Sequence, residues 1–488
     1  MFALQAQHIA ITRHQEQLFN IDQLVINPGD RIGLIGANGA GKTTLTDILT
    51  GALAPDTGTV NQQEVPIVVH QLHDLSTQSG GEQVKNAILD ALRQQPEWLI
   101  LDEPSANLDV ENQHWLINQL TRFHGTLLII SHDRTLLNAV TTTTWQLASR
   151  QLTIFAGNYD AFMVDQAAQH HNQAAAYRNY QQEKHKLEVA AEKRAERAAK
   201  TTKPNPHKHS RNELQDMKSS LRRNQGKMTK AARVMKDHAE SLTPVAKPSE
   251  QPKVTLRVEQ FATLGRHTPV TVRHLRLQAG ERTLVKDLSF VLRGGERIAI
   301  TGPNQVGKTT LLRAILANDA TAITVNPAVK FGYFAQNMSR LDLTASIWTN
   351  VTTHTQQENA VVRTVLAEFG FKANALDVAV QNLSGGQRVK VSLVKVLLSD
   401  ANALILDEPT NYLDLPTLRA LEAFLTSYPG TILFVSHDET FVKHVATRIL
   451  ALSPTGLADP KQVVTKKITS AERQAADEAL LAQFRNSF

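Results

Sequence analysis

Cysteine is absent from all 488 residues, so neither a disulfide nor a thiolate metal site is available, and a reducing cytoplasm is the expected setting. Long apolar runs are missing too. The longest, such as residues 98–101, fall far short of the roughly 20 residues that a membrane-spanning helix needs, which excludes a bilayer-crossing transporter subunit. Residues 1–11 have neither the basic head nor the apolar centre of a secretory signal, so the chain is expected to stay where it is made. No strong excess of one charge pervades the chain. The formal net charge is +6, but residues 181–240 alone hold 16 Lys+Arg against 8 Asp+Glu, a net of +8, which leaves −2 for everything else.

With 42% hydrophobic and 20% charged residues the composition is that of a globular protein. The length exceeds what one hydrophobic core serves, so two domains and a connector are expected, the connector being the basic part. One ordered set of short motifs occurs twice, about 270 residues apart. The first copy reads GANGAGKT at 36–43, SGGEQ at 79–83, LILDEPSANLD at 99–109 and IISHD at 129–133. The second reads GPNQVGKT at 302–309, LSGGQR at 383–388, LILDEPTNYLD at 404–414 and FVSHD at 434–438. RIGLIG and RIAITG are buried-strand patterns that run into glycine-rich turns and then helices, so the fold class is α/β. Residues 158–200 are rich in Ala, Gln, Glu and Lys with almost no glycine, which predicts a solvated helix about 60 Å long. Pro204 and Pro206 break it. A second helix is expected over 211–241, with Leu214, Met217 and Leu221 at helical spacing, and the two predict an antiparallel hairpin.

The glycine loops carry phosphate chemistry. In Gly36, Asn38, Gly39 and Gly41 the backbone is free to curl N–H groups around phosphate oxygens, and the next helix points its positive end at them. Lys42 is placed to reach the β and γ phosphates, the Thr43 hydroxyl to bind Mg²⁺, and Thr44 to add a further phosphate contact. Gly302, Asn304, Gly307, Lys308, Thr309 and Thr310 repeat the arrangement. One such match alone is compatible with a chance glycine-rich turn; two, each followed in order by the same partners, are not. Asp102 and Asp407, at the ends of apolar strands, are suited to holding Mg²⁺, and Glu103 and Glu408 to polarising a water that attacks the γ-phosphate. His132 and His437 each follow another apolar strand and a serine, where a hydrogen bond to the γ-phosphate is within reach. Gln71 and Gln336 end strand-like runs and are candidates to touch Mg²⁺ and the attacking water.

With phosphate loop, Q-loop, SGG signature, DEP box, D-loop and switch histidine, both halves resemble ABC ATPase domains. That resemblance implies ATP and Mg²⁺ as ligands and two domains that sandwich two ATP molecules head to tail. Lys42 would then share a site with Ser384, Gly385, Gly386 and Gln387, and Lys308 with Ser79, Gly80, Gly81 and Glu82. A monomer could build both sites by pairing its own halves. Two fused cassettes joined by a long, basic, paired-helix linker resemble the ABC-F translation factors, and the segment 157–162, GNYDAF, resembles that family's entry into its linker. The boundaries expected on this reading are 1–156 and 253–455 for the two ATP-binding domains, 157–252 for the linker and 456–488 for a short tail, with Thr469 and Glu472 capping one helix over 471–485.

Gln71 and Ser79 are eight residues apart whereas Gln336 and Ser384 are 48 apart, so the first cassette has almost no helical subdomain. Housekeeping members of the family carry an additional arm in that region; the antibiotic-resistance members, of Vga, Lsa and Msr type, are similar to this chain in lacking it. The resemblance therefore implies a cytoplasmic protein that binds the ribosome in its ATP-bound closed state, near the P-site tRNA, protects against drugs and leaves on hydrolysis. Ribosomal RNA contacts fall on Lys218, Arg222, Arg223 and Lys227, within residues 200–230, which hold nine Lys+Arg, two Asp+Glu and no aromatic residue. That composition favours phosphate contacts over base reading. A housekeeping translation factor and a non-ribosomal ATPase remain as rival roles. Two departures stand out. The neighbourhoods expected to stack on adenine, ITRHQEQ at 11–17 and RLQAGER at 276–282, lack Phe, Tyr and Trp, with His14 as the one substitute. In the first signature Gln78 replaces the leading Leu and Glu82 replaces Gln, so slower hydrolysis is expected at that site.

Overall fold

The computed structural model describes residues 2–13, 16–70, 80–106, 108–200, 211–247, 261, 263–265, 267–318, 321–335 and 341–458, with the side chains of 16, 80, 81, 200 and 211–221 set aside. Gln71, Gln78, Ser79, Gln336, His14 and the tail helix with Thr469 and Glu472 lie outside these residues, as do the side chains of Lys218, Leu214, Met217 and Leu221.

The first cassette runs β1 (Leu4–Arg13), β2 (Glu16–Ile26), β3 (Arg31–Gly36), α1 (Lys42–Leu49), β4 (Thr57–Gln62), β5 (Ile67–Val69), α2 (Gly80–Arg93), β6 (Trp98–Asp102), α3 (Val110–Arg122), β7 (Thr126–Ile130), α4 (Arg134–Val140), β8 (Thr143–Ala148) and β9 (Gln151–Ala156). Helices α5 (Tyr159–Lys200) and α6 (Arg211–Ser241) follow. The second cassette comprises β10 (Val270–Ala279), β11 (Arg282–Leu292), β12 (Arg297–Thr301), α7 (Lys308–Ala317), β13 (Ile323–Val325), β14 (Phe331–Phe334), α8 (Ile347–Thr352), α9 (Asn359–Glu368), α10 (Gly385–Leu397), β15 (Ala403–Asp407), α11 (Leu415–Ser427), β16 (Thr431–Val435), α12 (Glu439–Val445), β17 (Arg448–Ser453) and β18 (Gly456–Ala458).

The duplication is exact in topology. One six-stranded sheet has the order β5-β6-β7-β3-β8-β9 and the other β14-β15-β16-β12-β17-β18, with every pair parallel except the last in each. A three-stranded antiparallel sheet, β2-β1-β4 or β11-β10-β13, completes each half. The strands flanking β3 are covered on both faces, which is why they read as unbroken apolar runs. Ile100, Leu128 and Ile130 face a core shared with β1, β2 and α1, while their neighbours Leu99, Leu101, Leu127 and Ile129 face one shared with α2 and α3. β3 and β12 are central, with strand order reversing on either side. Such a switch point opens a crevice beyond the strands' C-terminal ends, and both glycine loops lie there.

The halves differ in their helical inserts. In the second, α8 and α9 bring Ile347, Val351, Val362, Val365 and Leu366 onto α10, where Val391, Leu393, Val394 and Leu397 are buried. In the first, the seven residues between Gln71 and Ser79 are too few for such an insert, and α2 buries Val84, Ile88 and Ala91 against the sheet. β18 lies at the start of the 456–488 segment and pairs with β17, closing the second sheet.

Residues 161–251 form a separate compact unit made of most of α5 and α6. Both helices match the expected 158–200 and 211–241 closely. Ala191 and Ala198 on α5 and Ala232 and Ala239 on α6, each pair seven residues apart, are buried, and Arg194 donates to Met235 Sδ at 3.5 Å. Small residues at that spacing form a narrow seam between two helices. Arg222, Arg223 and Lys227 are exposed. Among the described residues no helix is long and apolar enough to cross a membrane.

Candidate functional site

Both glycine loops end on a glycine in the left-handed region, Gly41 at φ 99° and Gly307 at φ 107°, which turns the chain directly into α1 and α7. A side chain at Gly41 would also press on Phe19 at 3.2 Å. Lys42 and Lys308 are folded back over their own loops. Lys42 Nζ donates to the Gly36 carbonyl at 2.8 Å, and Lys308 Nζ to the Gly302 and Pro303 carbonyls at 2.9 Å each. Two ammonium groups are thus held at helix N-termini amid backbone N–H groups, the surroundings that an anionic polyphosphate requires.

The strand-end carboxylates take the expected places. Thr43 Oγ1 donates to Asp102 Oδ2 at 3.3 Å and Thr309 Oγ1 to Asp407 Oδ1 at 3.1 Å. A hydroxyl beside a single carboxylate fits Mg²⁺, which keeps several waters and takes further oxygens from substrate phosphates. Among the described residues no group of three or more His, Cys, Asp or Glu is placed to hold a metal ion.

Glu103 and Glu408 adopt left-handed backbone at φ 49° and 50°, unusual for a residue with a side chain. The strain, about 1–3 kcal/mol, is imposed identically in both copies. Each amide donates back to the neighbouring strand, Glu103 to the Ile130 carbonyl at 2.8 Å and Glu408 to the Val435 carbonyl at 3.0 Å, and this turns the side chains toward the histidines. His132 Nε2 lies 3.4 Å from Glu103 Oε1, and His437 Nε2 3.2 Å from Glu408 Oε1. Burial pushes the Glu103 carboxyl up to about 8 and that of Glu408 up to about 7. Burial, with the adjacent lysine adding to it, drives His132 down to about 3 and His437 down to about 4, so both rings are neutral at pH 7. A strained, desolvated carboxyl beside a neutral imidazole is an arrangement suited to moving a proton from water.

The two cassettes meet at these loops. The Asn38 amide donates to Asp414 Oδ2 at 2.9 Å and the Asn38 side chain to the Tyr412 carbonyl at 3.0 Å; in the other direction the Asn304 amide donates to Asp109 Oδ2 at 3.1 Å. Asp109 and Asp414 meanwhile cap α3 and α11 with their other oxygens. One cavity of about 1150 Å³ runs through the interface, lined by Lys42, Thr43, Thr44, Glu103 and His132 together with Ser384 and Gly386, and by Lys308, Thr309, Thr310, Glu408 and His437. Gly385 and Gln387 are not on its wall. Gln387 instead closes a capping box, taking the Ser384 amide on its side chain at 3.0 Å while Ser384 Oγ caps the Gln387 amide. Gly80, Gly81 and Glu82 begin α2, with Glu82 exposed. Leu18 lines the first loop's end of the cavity, and Ala279, Arg282 and Leu284 that of the second. No periodicity marks these four; the missing aromatics were the only sequence signal.

Burial pushes the Asp414 carboxyl up, but Lys390, Thr417 and the Asn38 amide outweigh it, and the group sits well below the usual carboxylate range. Its ionised form therefore stabilises the fold above the unfolded value of about 4, and that contribution fades as pH falls toward the depressed folded value. Asp414→Asn, which keeps the helix cap, is expected to lower the thermal midpoint at pH 7 and to converge on the parent chain as pH drops below about 4. A midpoint difference that stays constant across that range would refute the assignment.

Away from the loops, Arg134 at the start of α4 grips Glu422 of α11 with two bonds, at 2.5 and 3.3 Å, and both side chains are nearly buried. His114 of α3 lies 3.6 Å from Glu439 of α12. Tyr159, 2% exposed, hydrogen-bonds through its hydroxyl with Arg419 of α11, and the Asp160 amide donates to Asn138 of α4 at 2.9 Å. Removing one partner of a buried pair strands the other, so Arg134→Met is expected to cost about 3–5 kcal/mol by urea unfolding. Most of that loss should return in the double variant Arg134→Met/Glu422→Leu, in which no charge is left unpaired.

Residues 19–75 and 285–411 match the ABC transporter family. The chain is 30% identical to the ribosome protection protein VmlR of Bacillus subtilis (strain 168), over 88% of this chain and 83% of that one. It is 31% identical to the erythromycin resistance ATP-binding protein MsrA of Staphylococcus epidermidis, over 90% and 95%. A solved structure of an RNase-L inhibitor superposes with a TM-score of 0.60 at 16% identity, covering 97% of this chain and 99% of that one, a likeness of fold. With two phosphate loops facing each other across one interface and relatives of this identity along nearly the full length of both chains, the protein belongs to the ABC-F family of ABC ATPases and falls with its antibiotic-resistance branch.

Proposed function

We propose that the protein is an ATP hydrolase that binds the ribosome with its cassettes closed and protects it from ribosome-targeting antibiotics. The observation that carries the ATPase reading is the reciprocal reach of Asp109 and Asp414 to the opposite glycine loop, which sets Ser384 and Gly386 in one cavity with Lys42. Lys42 and Lys308, with the loop amides, bind the phosphates of one ATP each. Thr43 with Asp102, and Thr309 with Asp407, would hold Mg²⁺, which would supply charge neutralisation at the β and γ phosphates. Gln71 and Gln336 are proposed to complete those sites. Glu103 and Glu408 orient the attacking water and, in the ionised form that Lys42 and Lys308 favour, accept its proton, while His132 and His437, held neutral, hydrogen-bond the γ-phosphate and lose that contact when it leaves. The second half of each site is Ser384, Gly385, Gly386 and Gln387 opposite Lys42, and Ser79, Gly80, Gly81 and Glu82 opposite Lys308.

ATP that favours the closed pair, and a closed pair that favours the ribosome, reinforce each other by linkage. The reading that the partner is the ribosome rests on the two relatives with protection and resistance in their names and on the basic linker. Lys218, Arg222, Arg223 and Lys227 then neutralise ribosomal RNA phosphates near the P-site tRNA, and the linker reaches toward the peptidyl-transferase region. Hydrolysis reopens the cassettes and releases the chain.

The deciding measurement is drug susceptibility of a sensitive bacterium expressing the chain. Inhibitory concentrations are expected to rise for at least one of the lincosamides, pleuromutilins, streptogramins A and macrolides. No rise for any of them would leave a housekeeping translation role as the better reading.

A further inference from the structure

The two D-loop aspartates do the same job with different backing. Asp414 Oδ2 accepts both the Asn38 amide, at 2.9 Å, and Lys390 Nζ, at 2.9 Å. Lys390 projects from α10, the helix that Ser384 caps, and both partners are buried, with side chains 9% and 3% exposed. One ammonium group therefore ties three elements together: the signature helix of the second cassette, its D-loop, and the glycine loop of the first. The signature itself lies close by, since a side-chain carbon placed on Gly386 would stand 3.6 Å from Asn38 Nδ2.

In the first cassette the residue at the same distance past the signature serine, six positions on, is Lys85. It does not reach Asp109. Its Nζ donates to Asn112 Oδ1 at 3.3 Å and stands 4.9 Å over the Trp115 ring, and Asn112 in turn donates to Asp109 Oδ1. Asn112 and Thr417 occupy equivalent positions, three past each aspartate. Threonine at 417 binds the carboxylate and leaves it open to the lysine; asparagine at 112 comes between the two. Asp109 accepts the Asn304 amide directly, but Lys85 is linked to Asp109 through a neutral amide instead of an ion pair.

We infer that Lys390 is a positioning residue for one of the two composite sites, holding the Ser384 signature in register with the Lys42 loop through Asp414, and that the Lys308 site has no equivalent. Lys390 touches no reacting atom in this scheme. It acts by fixing Asp414, and an ion pair confined to one site makes the two sites unequal in how tightly their halves are held. The inference rests on the ATPase reading given above.

The test separates the sites with the two glutamates. In a Glu408→Gln chain hydrolysis is left to Glu103 at the Lys42 site, and in a Glu103→Gln chain to Glu408 at the Lys308 site. Lys390→Met is expected to lower kcat about tenfold or more in the first background, with KM for MgATP within twofold, and to change kcat less than twofold in the second. Lys390→Arg, which keeps a charged donor, should recover kcat to within threefold. Lys85→Met should leave both backgrounds within threefold. Because Lys390→Met leaves a buried carboxylate alone, the double variant Lys390→Met/Asp414→Asn is measured alongside, with a thermal melt, and is expected to show the same site-selective loss. Equal loss in both backgrounds, or turnover within twofold in both, overturns the inference while leaving the ATPase reading intact. Absence of turnover in the parent chain overturns that reading and this inference with it.

Discussion

A chain carrying both Glu103→Gln and Glu408→Gln is expected to bind ATP as the parent does, to lose about 10²–10⁴-fold in turnover, and to stay on ribosomes that the parent leaves. Glutamine keeps the shape and the acceptor oxygen, so the His132 amide, 3.4 Å from Glu103 Oε2, retains its partner. What it removes is a group able to take a proton. Glu408 is buried and Glu103 largely so, and both are raised in pKa, so replacing them removes a desolvation cost, and the thermal midpoint should hold or rise. The measurement is phosphate release, equilibrium ATP binding, and sedimentation with ribosomes and ATP. If turnover survives, the base lies elsewhere; if the trapped chain binds ATP yet stays off ribosomes, the partner assigned above is wrong.

The second large effect concerns the linker. Helix α6 carries eight Lys+Arg against four Asp+Glu, a net of +4, and changing Lys218, Arg222, Arg223 and Lys227 to Glu turns that into −4. Each phosphate contact contributes a salt-dependent increment, so loss of four, with repulsion added, is expected to weaken ribosome binding by about 10³-fold or more near physiological salt. The slope of log affinity against log salt should flatten by about three. Glutamate forms helix well, Arg222, Arg223 and Lys227 are exposed, and residues 161–251 are a compact unit of their own. The melting of the cassettes and their ATP turnover without ribosomes should therefore stay as they are. Sedimentation across a salt series reads the first result and calorimetry the second. Unchanged ribosome binding would mean that the basic stretch serves as a solvated surface.

Much of this was written locally. A glycine loop, a strand-end carboxylate and a histidine two residues past an apolar strand are each set by neighbours within a dozen residues, so Lys42, Asp102, Glu103, His132 and their second copies fall where sequence spacing puts them. The helices α5 and α6 were legible for the same reason: composition alone favours them over long stretches. What spacing could not deliver are contacts across about 200 to 400 positions. Asp414 reaches Asn38, Asp109 reaches Asn304, and Arg134 reaches Glu422, and none of these acceptors differs in local pattern from an ordinary helix cap or surface charge. The capping box of Ser384 and Gln387 was visible as S-x-x-Q, yet its effect is to turn Gln387 away from the cavity.

The ion pairs beside the switch histidines carry a consequence for how the halves recognise each other. Arg134 and Glu439 stand at equivalent positions, two past each histidine, as do Ile117 and Glu422, eight past each D-loop aspartate. The duplicated surfaces have thus diverged in sign. Arg134 of the first half meets Glu422 of the second, and Glu439 of the second meets His114 of the first. Two first halves would set Arg134 against an apolar isoleucine, and two second halves would crowd Glu439 toward Glu422. The charges thus favour each half meeting the other over either meeting a second copy of itself.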